Sequence, residues 1–146
     1  MSITFGSVGD IIAVAELAFK IVKALSESRG ASKEYQDLML ELDLFRRALQ
    51  EADRFLKPNR PVRLQPHTEN AVRHHVTLCK KEMEEFMKKI KKYQESLRKG
   101  GSGNMMRDSW RKVGWSLFKK EDLATLRGNL SMHRGTIMWI LVMAGW

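Results

Sequence analysis

The fold is decided by the stretch Ile11-Ile12-Ala13-Val14-Ala15-Glu16-Leu17-Ala18-Phe19-Lys20-Ile21-Val22-Lys23-Ala24-Leu25. A surface helix normally keeps about half of its circumference polar, whereas only Glu16, Lys20 and Lys23 interrupt this stretch. The pattern predicts a helix that is buried nearly all round. At about 1.5 Å per residue it is roughly 22 Å long, shorter than the roughly 30 Å hydrocarbon core of a bilayer. We therefore expect either the central helix of a bundle or a helix that exchanges a protein core for a membrane.

Two longer amphipathic helices follow. After Ser32, apolar residues recur at alternating spacings of three and four, which is typical of a helix in a bundle. They are Tyr35, Leu38, Leu42, Phe45, Leu49, Ala52 and Leu56. Pro58, Pro61 and Pro66 interrupt the chain before a third helix, predicted from Thr68 or Glu69 to Lys99. The apolar positions of this helix are Val72, Val76, Cys79, Met83, Phe86, Ile90, Tyr93 and Leu97.

The remaining chain predicts a linker, a short helix and a fourth long helix. The glycine-rich residues 100–104 favour a flexible connection, and residues 109–118 form a short amphipathic pattern with Trp110 and Trp115. The fourth helix is predicted to start between Lys120 and Asp122, because acidic residues favour the positive end of a helix dipole. It carries Leu123, Leu126, Leu130, Ile137, Ile140 and Leu141.

These elements predict an all-α fold: a single-domain bundle, over residues 1–146, of four main helices plus one short Trp-containing helix. We expect one contiguous core around the first helix. Its members are Leu42, Phe45, Leu49, Val76, Cys79, Met83, Phe86, Leu126 and Leu130. The chain then finishes on the apolar run 137–146. A protein seldom ends on an exposed apolar run, because free apolar surface invites association. We therefore expect the chain to be the N-terminal module of a longer protein.

The positive charge is concentrated in the middle of the chain. The net charge is +9 overall, and residues 57–120 carry 17 basic and 6 acidic side chains. Lysines flank the apolar stripe of the third helix, and Lys88, Lys89, Lys91, Lys92 and Lys99 are the candidates for binding an anionic surface such as acidic lipid headgroups. The alternative is an ordinary solvated face with local pairs such as Glu84 to Lys88 and Glu85 to Lys89. Nucleic acid is not favoured, because no aromatic residues alternate with these lysines.

No pattern of catalytic or metal-binding residues stands out. His75 and Cys79 lie one helical turn apart, but no second His or Cys pair completes a zinc site, and Cys79 falls on the apolar register. His67 and His133 are isolated in the sequence. No nucleophile, metalloprotease or phosphate-loop motif is present. We therefore expect a protein that is not an enzyme and that uses no cofactor or metal. A single cysteine and no secretory leader pattern predict a cytoplasmic protein.

Three segments together resemble a known family. They are Phe5 to Val14; Gly30 to Leu38 with Leu44 to Leu49; and Trp115 to Leu123 with Leu126, Arg127, Leu130 and His133. This set is similar to the helical N-terminal domain of filamentous-fungal multidomain proteins, where it precedes a NACHT-type module, an ankyrin array or a ubiquitin-like domain. These domains in turn resemble the HeLo and HeLo-like domains of fungal programmed cell death.

The resemblance implies a non-enzymatic signalling domain in fungal defence or programmed cell death that oligomerises and engages membranes. In that case the first helix is the membrane-active element, through Ile11, Ile12, Val14, Leu17, Phe19, Ile21, Val22 and Leu25. The expected partners are further copies of the chain, other protein domains and an anionic membrane, with recruitment to the plasma membrane. The alternative is a passive protein–protein interaction scaffold of a multidomain signalling protein, which uses the apolar C-terminal run.

Overall fold

The computed structural model describes residues 8–26, 32–56, 64–99 and 117–144. Its helices are α1 (Val8–Ser26), α2 (Lys33–Phe55), α3 (Pro66–Lys99) and α4 (Lys120–Met143), and no strand occurs within these ranges. The prediction of an all-α bundle of four main helices is confirmed. The predicted short helix over residues 109–118 lies outside the described residues except at Leu117 and Phe118, which form a bend.

The helix ends follow local sequence signals. Ser32 precedes α2 with an extended backbone, and its carbonyl accepts a hydrogen bond from the Gln36 amide, at 3.1 Å. The third helix begins at Pro66, two residues before the predicted start at Thr68. Proline fits a first helical turn because the amide hydrogen that it lacks would have no partner within the helix. The fourth helix begins at Lys120 as predicted.

The four helices form a square in which each packs against two neighbours. The first helix packs on α2 and α3, and α4 packs on the same two helices from the opposite corner. A short connection makes α1 antiparallel to α2. The contact of His75 with His133 and that of Phe86 with Phe118 show that α3 and α4 are antiparallel. Consequently α2 and α3 occupy diagonal corners although they are consecutive in the chain.

One apolar cluster fills the centre of the bundle. All nine residues of the predicted core belong to it, so this prediction is confirmed. The predicted stripe of α2 is buried throughout, from Tyr35 to Leu56. In α3 the stripe is buried from Val72 to Ile90. The helical periodicity therefore identifies the buried side of both helices.

The prediction that α1 is buried nearly all round is wrong. Its inner side is buried, and the members of that side are Ile11, Val14, Ala15, Ala18, Ile21, Ala24 and Leu25. Ala13, Glu16, Lys20 and Lys23 are exposed, and Phe19 is 52% exposed. The reason is the corner position, because two neighbouring helices cover only part of the circumference. The three charged residues mark the uncovered side.

Replacing Leu42 or Phe86 with alanine is expected to lower the free energy of unfolding by about 2 to 5 kcal/mol, because each substitution leaves a cavity in a packed core. Leu40→Ala is the matched control, because Leu40 lies on α2 but is exposed. We expect its effect to stay within about 0.5 kcal/mol. Chemical denaturation of the three variants measures this. Equal losses for Leu40 and Leu42 would contradict the arrangement.

Candidate interaction surfaces

A row of lysines covers the outward side of α3. Lys88, Lys89, Lys91 and Lys92 are all exposed, and the same side carries Lys80 and Lys81. The side chain of Lys99 lies outside the described part of α3. The exposed acids between positions 80 and 96 are Glu84, Glu85 and Glu95, so the lysines outnumber them by two to one. We call the four residues Lys88, Lys89, Lys91 and Lys92 the lysine row.

The local charge pairs of the alternative, solvated-face interpretation are absent from the described part of α3. Among the described residues no ion pair joins Glu84 to Lys88 or Glu85 to Lys89. Instead the ammonium group of Lys89 lies 5.7 Å from the centre of the Phe118 ring, which stacks on Phe86 at a centroid distance of 4.1 Å. A cation over an aromatic face is electrostatically favourable. No lysine of the row therefore forms an ion pair with an acid in the described part of the chain.

The eight apolar residues proposed for membrane activity are divided between core and surface. Ile11, Val14, Ile21 and Leu25 are almost completely buried. Ile12, Leu17 and Val22 are half-buried, and Phe19 is exposed. The guanidinium of Arg46 lies 5.6 Å from the centre of the Phe19 ring, at an open groove between α1 and α2. Within the described residues, no helix is both long and apolar enough to cross a membrane.

The apolar run at the end of the chain is only partly a surface. Ile137 and Leu141 are buried in the core, whereas Trp139, Val142 and Met143 are exposed on the outward side of α4. Gly145 and Trp146 lie outside the described residues. Helical periodicity explains the division, because residues three or four positions apart face the same side. The outward side of α4 also carries Met132, which is exposed.

A layer of polar side chains joins α2, α3 and α4 inside the bundle. Arg134 donates hydrogen bonds from Nε and Nη2 to both carboxylate oxygens of Glu41, at 2.6 and 3.0 Å. The Glu41 side chain is only 8% exposed. These hydrogen bonds raise the pKa of Arg134. A paired geometry of this kind satisfies a buried carboxylate and defines the level at which α2 meets α4.

Two histidines belong to the same layer. The Nδ1 atoms of His75 and His133 are 2.7 Å apart, so one ring donates and the other accepts. Burial lowers the pKa of His75, and His133 and His74 add to this shift. Burial also lowers the pKa of His133, although Glu82 opposes that shift. The interpretation of His133 as isolated is wrong, because the antiparallel packing of α3 and α4 brings it to His75.

A further polar contact joins α3 to α4. Asn129 donates from Nδ2 to the Glu82 carboxylate at 3.0 Å. Cys79 lies in the core, as its register predicted, and burial raises the pKa of its thiol to about 12, with Glu82 and Glu41 adding to the shift. Such a thiol is not a reactive nucleophile. No cluster of three potential metal ligands occurs among the described residues.

The polar layer was not predicted, although the sequence contains a signal for it. Glu41 lies between the core residues Leu38 and Leu42, and His133 lies between Leu130 and Ile137. A polar residue within an apolar register predicts a buried hydrogen bond. The identity of the partner was not predictable, because it lies on a different helix.

Comparison of the chain with protein-family models, curated proteins and solved structures finds no match. The similarity to HeLo-like fungal domains therefore stays a prediction from the sequence.

The histidine pair predicts a pH-dependent stability. Both pKa values are lower in the folded state than the ordinary value near 6.5, so the unfolded chain binds more protons as the pH falls. The contribution of the histidine pair to the free energy of unfolding is complete above about pH 6.5. It is lost as the pH falls through the pKa values of the two histidines in the folded state. We expect the free energy of unfolding to decrease between about pH 7 and 5, and His75→Gln to reduce this slope. His67→Gln, at an exposed histidine of the same helix, is the control and should leave the slope unchanged.

Proposed function

We propose that this chain is a non-enzymatic signalling module that oligomerises and engages membranes in a fungal defence or programmed cell-death pathway. The resemblance to HeLo-like domains supplies this biological setting. One observation carries the membrane part of the proposal: the lysine row is exposed and its charge is not paired within the described residues. Basic side chains near an acidic lipid surface each contribute up to about 1 kcal/mol of attraction. The lysine row is the proposed first contact with the membrane.

The first helix is the proposed membrane-active element, and its release is the costly step. Burial of an Ile, Leu or Val side chain is worth about 1.5 to 3 kcal/mol. Exposing the four most deeply buried large residues of α1 in water therefore costs roughly 6 to 12 kcal/mol, which is comparable to the whole stability of a typical domain. The attraction of four lysines, at most about 4 kcal/mol, does not offset this cost. In this proposal, contact of the apolar side of α1 with lipid or with neighbouring copies supplies the difference.

Reversing the lysine row to glutamate is expected to abolish binding to liposomes that contain acidic lipid, while the helical content stays unchanged. Co-sedimentation with liposomes measures the binding, and added salt should weaken it for the original chain because exposed charges are screened over about 8 Å. The control reverses four exposed cations on α2 and α4, namely Lys33, Arg47, Arg54 and Arg127. Both variants change the net charge equally. Equal loss of binding in both would show that net charge acts, and not the lysine row.

Phe19→Asp tests the role of α1. Phe19 is half-exposed, so the variant is expected to fold, and the carboxylate opposes entry of α1 into an apolar environment. We expect it to lose release of dye from acidic liposomes and toxicity on overexpression. Gln50→Asp is the control, because it places the same charge at the same groove but on α2. If the original chain neither permeabilises vesicles nor harms cells, the membrane proposal is abandoned.

A second candidate is an interaction scaffold that never contacts lipid. The observation that favours it is the outward side of α4, where large apolar side chains are exposed in the folded bundle. A partner that docks there does not require α1 to leave the core. In this case Phe19→Asp retains partner binding, whereas substitutions on α4 remove it.

A further inference from the structure

Two rows of side chains form the outward side of α4. The first row is Ala124, Gly128 and Met132, and the second is Gly135, Trp139 and Met143; within each row the residues are four positions apart. All six are exposed, and the three large ones expose 57% (Met132), 64% (Trp139) and 69% (Met143) of their surface. Neither row contains a charged residue. We call these six residues the α4 stripe.

The two glycines of the stripe have no packing role in the described part of the chain. A Cβ atom added at Gly128 or Gly135 would meet nothing within 4 Å. Glycine inside a helix is less favourable than alanine, so these positions weaken α4 without a packing benefit in the described bundle. Glycine does, however, permit another helix to approach closely, as small residues do at many helix interfaces.

The large and small residues of the stripe are arranged so that a second stripe running in the opposite direction places a small residue opposite each large one. Read in chain order the sizes are small, small, large, small, large and large. An antiparallel copy with its two-fold axis between His133 and Arg134 places Gly128 opposite Trp139, Met132 opposite Gly135, and Ala124 opposite Met143. Every large side chain then faces a small one. A parallel copy in register instead places Trp139 against Trp139 and Gly128 against Gly128, which gives a clash and a void.

We propose that the α4 stripe binds the α4 stripe of a second copy of this chain in an antiparallel, two-fold symmetric dimer. This inference deepens the self-association part of the proposed function, on which it rests for its biological role, by naming the surface and the orientation. Such an interface is self-complementary, as two-fold symmetry requires. Antiparallel helices also place the positive end of each dipole near the negative end of the other.

Charge favours a second copy at this surface over other surfaces of the molecule. The chain carries a net charge of +9, and the lysine row gives α3 a positive outward side that repels its own copy. The α4 stripe is uncharged, so two copies meet there without placing like charges opposite each other. An acidic or basic partner would find no complementary charge along the stripe.

The area is sufficient for a modest dimer. The exposed apolar side chains of the stripe, with Val142 beside them, present about 500 Å² in each copy, or about 1,000 Å² for the pair, which is near the lower limit for a specific interface. We therefore expect a dimer that dissociates on dilution.

Sedimentation of the full chain without lipid, over a series of concentrations, tests the proposal. We expect a monomer–dimer equilibrium that Gly128→Met weakens at least tenfold, because the added side chain fills the space for Trp139. Gly128→Met combined with Trp139→Ala should restore dimerisation, since a large residue again faces a small one. Ala13→Met, which adds the same side chain at an exposed position on α1, is the control and should have no effect.

A chain that stays monomeric at all concentrations overturns the proposal. So does a Gly128→Met variant whose unfolding temperature is lowered at concentrations where the original chain is monomeric, because loss of the dimer cannot explain that result and another segment of the same chain would then cover α4. Neither outcome depends on lipid. A monomer that still binds acidic liposomes through the lysine row would overturn the dimer alone, whereas a dimer without liposome binding would overturn only the membrane part of the proposed function.

Engineered cysteines test the orientation. Chains with Gly128→Cys and chains with Trp139→Cys carry different tags and are mixed and oxidised, while the buried Cys79 stays unreactive. The antiparallel arrangement predicts disulfides between the two kinds of chain in preference to like-with-like disulfides. A preference for disulfides between two Gly128→Cys chains would indicate a parallel arrangement and would overturn the antiparallel one.

Discussion

The bundle depends on burial of the apolar stripe of α2. This helix packs against α1 on one side and α4 on the other, and Leu38, Leu42, Phe45 and Leu49 are completely buried between them. The third helix closes the square from the opposite corner. Because packed interiors leave few voids, the position of α2 determines how closely α1 and α4 approach the centre. The exposed sides of α1, α3 and α4 follow from this arrangement.

The polar layer defines how the helices are aligned with one another along their axes. Apolar stripes alone allow neighbouring helices to shift by one turn with a modest change in burial. The bidentate contact of Arg134 with Glu41 and the hydrogen bond between His75 and His133 are lost on such a shift. A buried charge without its partner is costly, so the layer disfavours the shifted arrangements. We infer that stability comes mainly from the apolar cluster and that the layer adds specificity.

The candidate surfaces lie on different helices and have different chemistry. The outward side of α3 is basic, and the outward side of α4 is uncharged and apolar. The membrane-active residues proposed on α1 are largely within the core. In the proposed function, the module associates through α4 and contacts an anionic surface through α3 without first unfolding. The proposed release of α1 is a separate and more costly step, because its buried apolar side chains need a compensating environment.

The sequence alone determined the helical fold, because apolar residues that recur every three or four positions lie on the same side of a helix and can be buried together. It therefore predicted the buried stripes of α2 and α3, the start of α4 and the core position of Cys79. It did not predict that α1 has an exposed side, that α2 and α3 are diagonal, or that His75 meets His133. These features depend on which helices are neighbours, and a periodic pattern contains no information about the partner across the interface. Only the tertiary structure, by placing α1 and α4 at opposite corners, decided which apolar residues are core and which remain available for a partner.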